Sequence, residues 1–193
     1  MATLNTKPGV MTHATRCRVL ALAPNFWDDS WMNRQQILSR LAKDHEVLYS
    51  NGPWSVWDRH HERFRASSWT GSFEPRDGVL LDQPPKLLLS WPTYPASERV
   101  VIQIAVARWR RELARMGTGP VIAYVFHPMY LRYAERLHAD LLVYSPYDLF
   151  SRTPDWTTEQ GAEEQRLLEL CTLVITSSEP TRAALQPKTD RPV

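Results

Sequence analysis

Cysteine, glycine and long apolar runs are all scarce in this chain. Cys17 and Cys171 are its two cysteines. Two thiols make no disulfide framework and fit a reducing, cytoplasmic setting. No apolar run approaches the ~18 residues that a bilayer-spanning helix needs. The opening stretch, MATLNTKPGVMTHATR, lacks the apolar centre of a secretory signal, so residues 1–17 read as a disordered leader. Neither sign of charge is in excess: 23 Lys and Arg face 21 Asp and Glu, a net of +2. That balance leaves no electrostatic footprint for nucleic acid. CxxC, HExxH, GxGxxG and the P-loop pattern are all missing, which removes the usual support for a zinc, dinucleotide or ATP site. His60-His61-Glu62 has metal-binding residue types. Adjacent histidines without further ligands rarely converge on an ion, so no metal is expected. Ser177-Ser178 has no nucleophile elbow around it.

What is present is a well-mixed globular composition, 43% hydrophobic and 23% charged, with 8 Trp and with 15 Pro against 7 Gly. A chain of 193 residues suffices for one domain with a substantial core. The organising stretch is Pro120–Tyr130, PVIAYVFHPMY. Its run Val121–Phe126 is β-branched and aromatic, with Gly119-Pro120 before it and Pro128 after it, and predicts a strand buried on both faces. Arg18–Ala23 predicts a first strand, Met32–Lys43 a helix capped by Ser30 or Asp29, and Val47–Ser50 a second strand. Residues 51–74 show no period and read as an irregular loop with one short helix. Gly78–Asp82 and Lys86–Ser90 are short apolar segments split by Pro84-Pro85; at least one is expected in the sheet, and the pattern leaves open which.

Ser97–Met116 predicts the longest helix, with a buried stripe through Val100, Val101, Ile104, Ala105 and Trp109 or Arg108. Helices follow at 129–137, 158–171 and 179–185, with strands at 140–144 and 173–176. Alternation of this kind means an α/β fold: a Rossmann-like three-layer domain with a mostly parallel sheet, in the order 3-2-1-4-5-6. Ligands collect outside the carboxyl ends of such strands, where the order reverses. That rule puts the Pro24–Trp31 loop beside His127.

The aromatics fall in a pattern. Trp27 and Trp31 follow strand one, Trp54 and Trp57 strand two, and Trp91 and Tyr94 the third apolar region. Tyr130 follows the central strand, and Tyr147, Phe150 and Trp156 the next. Gathered on one edge, such rings suit stacking on the C–H faces of sugars. They equally suit a small satellite core beneath long loops.

The ordered set RVLALAPNFWDDSWMNRQQILSRLAKDHEVLYSNG, VIAYVFHP, LLVYSPYDLFS and EEQRLLELCTLVITSSEPTRAAL resembles the N-terminal domain of a GT-B glycosyltransferase. The nearest likeness is to family 4 of the retaining, nucleotide-sugar-dependent enzymes, and it covers about Arg18 to Leu185. In such enzymes the N-terminal domain holds the acceptor and the second domain holds the nucleotide-sugar, a co-substrate rather than a cofactor. Many relatives place a His or Asp just after the fourth strand, facing the transferred sugar, which implies a catalytic role for His127. Many have a Gly-Gly turn after strand one; this chain has PNFWDD there, a departure that argues against backbone contact with a diphosphate. An Asp-rich loop after strand five is matched by Tyr147-Asp148. The chain stops at Arg191-Pro192-Val193, about where relatives cross into the second domain. Residues 187–193 are therefore expected to start a linker, the donor half to lie outside, and this part alone to be inactive.

The candidate site follows. His127 can position or accept the acceptor's proton, or be a loop histidine satisfied by hydrogen bonds. Asn25, Trp27, Asp28, Arg34, Tyr130, Tyr147 and Asp148 are the candidate acceptor-binding residues. Turn chemistry explains Asp28 as well; Arg34, in the first turn of the first helix, can face a phosphate, although such an arginine is commonly solvated. Arg108, Trp109, Arg111 and Arg115 form a basic run with an aromatic that can rest on anionic lipid at the inner membrane face, or be an exposed face balanced by Glu112. The expected partners are a glycan or glycolipid acceptor and a nucleotide-sugar donor. The alternatives are a non-catalytic sugar-binding or interaction module, and the N-terminal half of a nucleotide-sugar epimerase.

Overall fold

The computed structural model describes residues 16–91 and 93–193. Its strands and helices alternate as the apolar runs predict. β1 (Arg18–Leu22), β2 (Glu46–Ser50), β5 (Val79–Gln83), β7 (Val121–Val125), β8 (Leu141–Tyr144) and β9 (Leu173–Val174) are parallel members of one sheet. Counted among themselves they stand in the order 3-2-1-4-5-6. A seventh strand, β4 (Ser72–Arg76), pairs antiparallel with β5 at the outer edge. Residues 51–74 were expected to hold no strand. They hold β4 and the short β3 (Trp54–Ser55), which pairs with β6 (Leu89–Ser90) in a separate two-stranded ribbon. Of the two apolar segments around Pro84-Pro85, the first enters the main sheet and the second forms this ribbon.

Side chains alternate across a strand, so the sheet has two cores. Val19, Ala21, Val47, Tyr49, Tyr124 and Phe126 face α1 (Asn33–Leu41) on one side. Leu20, Leu22, Leu48, Ala123 and Val125 face the other, packed by α3 (Pro95–Met116), α4 (Leu131–Leu137), α5 (Thr158–Leu170) and α6 (Glu179–Leu185). The remaining helix, α2 (Glu62–Ala66), sits in the loop after β3. The result is the three-layer, Rossmann-like domain expected from the pattern.

α3 departs from the expected face. Its buried residues are Val101, Ile102, Ala105, Val106, Trp109 and Leu113, while Val100 and Ile104 are half exposed, at 53% and 50%. Trp109 is 1% exposed, and its indole donates to Asp82 Oδ2 at 2.6 Å. Arg108 is ion-paired with the same carboxylate. Trp109 therefore cannot touch a membrane, and Arg108 is committed to β5, so the expected basic face keeps only Arg111 and Arg115. Arg115 pairs with Glu112 at 2.9 Å. No helix among the described residues is long and apolar enough to cross a membrane.

The ends behave differently from their expected roles. Of the expected leader, residues 1–15 lie outside the described residues; Arg16 pairs with Glu46 at 3.0 Å, and the Cys17 N–H donates to His45 Nδ1 at 3.3 Å. The stretch expected to begin a linker folds back on the domain. Val174 N–H donates to the Pro192 carbonyl at 2.9 Å, Thr189 Oγ1 to the Leu168 carbonyl at 3.2 Å, and Lys188 meets buried Glu164 at 3.4 Å.

Candidate functional site

β1 and β7 lie side by side in parallel, Leu22 opposite Val125, and the Phe126 N–H donates to the Leu22 carbonyl at 3.0 Å. The chains leaving these strands part at the switch point, as expected. A cleft of about 550 Å³ opens there. Its walls are Trp31, Met32 and the first turns of α1, Phe126 after β7, Ser145–Tyr147 after β8, and Ile175–Ser177 after β9. Two arginines line it, Arg34 and Arg40, and no carboxylate does.

Gln35 builds the α1 side of the cleft. The expected cap residues do other work: Asp29 accepts the Phe26 N–H at 2.9 Å and pairs with Arg63 at 3.1 Å. Instead, Gln35 Oε1 accepts the Met32 N–H at 3.0 Å, and its Nε2 donates to the Trp27 carbonyl at 3.3 Å. This amide ties the helix start to the loop from β1, satisfying one of the orphan donors of a helix N-terminus.

The knot fixes the orientation of Arg34, one residue earlier. Expected either to face a phosphate or to be solvated, it is only 3% exposed. Its Nε and Nη2 are buried with no hydrogen-bond partner, and among the described residues it forms no ion pair. The Tyr147 ring centroid lies 5.7 Å from its guanidinium carbon. A cation–π contact offers roughly 0.5–2 kcal/mol, whereas burying a charge without a partner costs several kcal/mol. The ring does not settle that balance. Nor do the nearby hydroxyls: burial pushes the Tyr49 hydroxyl up to about 12, against the pull of Arg34, and burial raises that of Tyr147 as well. Both stay neutral near pH 7.

His127, two residues past the end of β7, caps the short 3-10 turn Pro128–Tyr130, its Nδ1 accepting the Met129 N–H at 3.1 Å. That bond puts the ring proton on Nε2. The ring packs edge-on against Phe150 with centroids 4.5 Å apart. Burial lowers its pKa to about 4, so it is neutral at physiological pH. A stack then runs outward from it: Phe150 against Tyr147 at 5.0 Å and against Trp156 at 5.8 Å.

The remaining candidates do not share one pocket. Arg34 and Tyr147 line the switch-point cleft. Trp27 and Asp28 line a second cleft of about 390 Å³ beyond the ends of β2 and β5. Trp27 is buried there with its indole donating to Asp77 at 3.0 Å, and Asp28 is ion-paired with Arg76. Tyr130 lines a third cleft of about 370 Å³, but its ring is fully buried and its hydroxyl donates to the Asn51 carbonyl at 2.8 Å. The backbone carbonyl of Asn25 accepts from Asn51 Nδ2 and Tyr49, and Asp148 accepts its neighbour's N–H at 2.7 Å. His61 caps α2, accepting the Arg63 N–H at 3.2 Å; among the described residues no group of His, Cys, Asp and Glu is placed to hold a metal ion.

The sequence did not single out Ser145, Ile175 or Thr176, and it offered Ser177 only as a nucleophile without an elbow. Their signal is positional: they follow the carboxyl ends of β8 and β9, where the same rule that singles out His127 applies. No protein-family model matches this chain, and no curated protein matches its sequence.

Proposed function

We propose that this domain is the acceptor-binding half of a nucleotide-sugar-dependent glycosyltransferase of the GT-B kind. Its acceptor is a glycan or glycolipid seated in the switch-point cleft. The observation that carries the reading is the cleft's position, outside the carboxyl ends of β7, β8 and β9, together with the exposed rings of Trp31 and Tyr147 on its walls. Aromatic faces bind the axial C–H groups of sugars without demanding a charge. Ser145, Thr176 and Ser177 supply hydroxyls for the sugar's own hydroxyls.

In the transfer, the bond from the sugar's anomeric carbon to the nucleotide phosphate oxygen breaks with its electron pair leaving on that oxygen, and a bond to an acceptor oxygen forms as that hydroxyl's proton passes to the departing phosphate. His127 acts in this scheme as a hydrogen-bond donor. Its Nδ1 is occupied by Met129, and a ring held neutral down to about pH 4 is too weak a base to draw a proton from a hydroxyl efficiently. His127 is not among the residues that line the cleft, so its Nε2–H takes part only through a sugar that extends past the cleft toward Phe150. The second half of the enzyme supplies the donor site. A glycolipid acceptor needs no help from the outer face of α3, where Trp109 is buried.

Saturation-transfer NMR against a panel of bacterial-type oligosaccharides and short-chain glycolipids tests the reading. At least one glycan should receive saturation, and Tyr147→Ala should remove it with the fold intact by circular dichroism. A panel in which nothing binds sinks the proposal, as does conversion of a free nucleotide-sugar to its epimer by the same protein, which favours the epimerase.

A further inference from the structure

Arg34 is more deeply buried than any surface arginine needs to be, and among the described residues no acid pairs with its charge; Tyr49 offers it only a neutral hydroxyl and Tyr147 a ring face. A guanidinium keeps that charge in any protein environment. Its immediate surroundings are tyrosine rings, two of its nitrogens have no acceptor, and the cleft it lines contains a second arginine and no acid. Two acids of the neighbouring loops are committed elsewhere: Asp29 to Arg63 and the Phe26 N–H, Asp148 to the Leu149 N–H. The nine-residue α1 adds to this, since Arg34 stands in its first turn, where no acidic residue offsets the helix dipole. Backbone N–H groups there lack partners within the helix.

We propose that Arg34 anchors a phosphate-binding subsite in the switch-point cleft, so that the acceptor is a phosphorylated sugar or a phospholipid-linked one. The inference rests on the glycosyltransferase reading for the sugar, but not for the phosphate. The planar fork of a guanidinium takes two phosphate oxygens at once, and the N-terminal turn of α1 offers amide donors to the same group. Tyr147, 38% exposed and on an irregular stretch, covers the guanidinium until a ligand arrives. Displacement of that ring exchanges a weak face contact for a charge-assisted pair. The remaining cleft, walled by Trp31 and Phe126, then holds the sugar.

The test is calorimetry and thermal unfolding of the protein with glucose 1-phosphate, inorganic phosphate, neutral glucose, and vesicles of phosphatidylcholine with and without phosphatidic acid. All are run at one ionic strength. Wild-type protein should bind at least one of the phosphate probes. Arg34→Met should weaken that binding at least tenfold while unfolding at the same temperature or higher without ligand, because it removes an unanswered buried charge. If Arg34→Met does not fold, the wild-type Arg34 Nε–H resonance, assigned with Arg34→Lys, replaces it: phosphate should shift it and equal chloride should not. The subsite falls if no phosphate probe binds, if Arg34→Met binds as wild type does, or if the Nε–H resonance stays fixed. Glycan binding that survives Arg34→Met would leave the carbohydrate reading standing without the phosphate. Phosphate binding lost in Arg34→Met, with no glycan ever bound, would do the reverse.

Discussion

The indole of Trp109 donates to Oδ2 of Asp82 at 2.6 Å, joining the middle of α3 to the end of β5. The same carboxylate is ion-paired with Arg108 and accepts the Ser50 hydroxyl at 2.7 Å. One acid thus holds α3, β5 and the end of β2 together. It is buried, as is the indole, so removing it strands donors that water cannot reach. Asp82→Ala should lower the free energy of unfolding by about 3–5 kcal/mol, whereas Ser50→Ala should cost about 1 kcal/mol. Urea unfolding of both variants checks the contrast; equal and small losses would mean that the network contributes little.

That contact also fixes the rotation of α3. Its apolar residues recur at 100, 101, 102, 104, 105 and 106, a stripe wide enough to support more than one buried face. Val101→Asp should cost several kcal/mol because it buries a charge without a partner. Val100→Asp should stay within about 0.5 kcal/mol, as exposed substitutions usually do. The two variants differ by one position along the helix, so unfolding midpoints measured side by side test the register directly. A severe Val100→Asp would put the helix back on the face that the sequence pattern favours.

The pattern of strands was legible because β1, β2 and β7 are buried on both faces and their runs are almost wholly apolar. The strand β4 was not. Its sequence, SFEPR, is mostly polar, contains Pro75, and pairs on one side only, so no period marks it; proline is tolerated there because it sits at a sheet edge. The site divides the same way. Tyr147 was legible from its place after a strand and lines the cleft, whereas His127, picked by the same rule, stands outside that lining. Arg34 was legible as a candidate from its place in the first turn of α1, but its burial was not. Its neighbours Tyr147 and Tyr49 reach it from the loop after β8 and from β2, and local spacing carries no trace of either.

His127 makes the fold sensitive to mild acid. Burial lowers its pKa from 6.5 to about 4. Between those values the unfolded chain binds the proton and the folded one does not. Stability from this group is therefore complete above about pH 6.5 and is lost progressively as pH falls toward 4. Allowing for partial solvent screening, the loss is on the order of 2 kcal/mol. His127→Gln, which has no titrating group, should flatten the unfolding free energy across that window relative to wild type. Parallel slopes for the two proteins between pH 7 and pH 4 would show that the imidazole titrates normally.

Two glycines give opposite predictions for the same substitution. At Gly119 an added Cβ would stand 1.8 Å from the Arg16 carbonyl oxygen. The strands cannot part to admit it, because Arg18 N–H donates to the Pro120 carbonyl at 2.8 Å and Arg18 Nε to the Gly119 carbonyl at 2.7 Å. Gly119→Ala should therefore destabilise by about 3 kcal/mol, the upper end for overpacking, since the obstacle is backbone and not a side chain that can turn aside. Gly161 sits within α5, where its Cβ would meet the Trp156 indole nitrogen at 3.4 Å, an ordinary contact. There the backbone entropy that glycine loses on folding dominates, and Gly161→Ala should stabilise by about 0.5–1 kcal/mol. Thermal unfolding of the two variants should move the midpoint in opposite directions. A shift of the same sign in both would mean that the approach of residues 16 and 119, and with it the pairing that sets His127 beside the loop after β1, is looser than described.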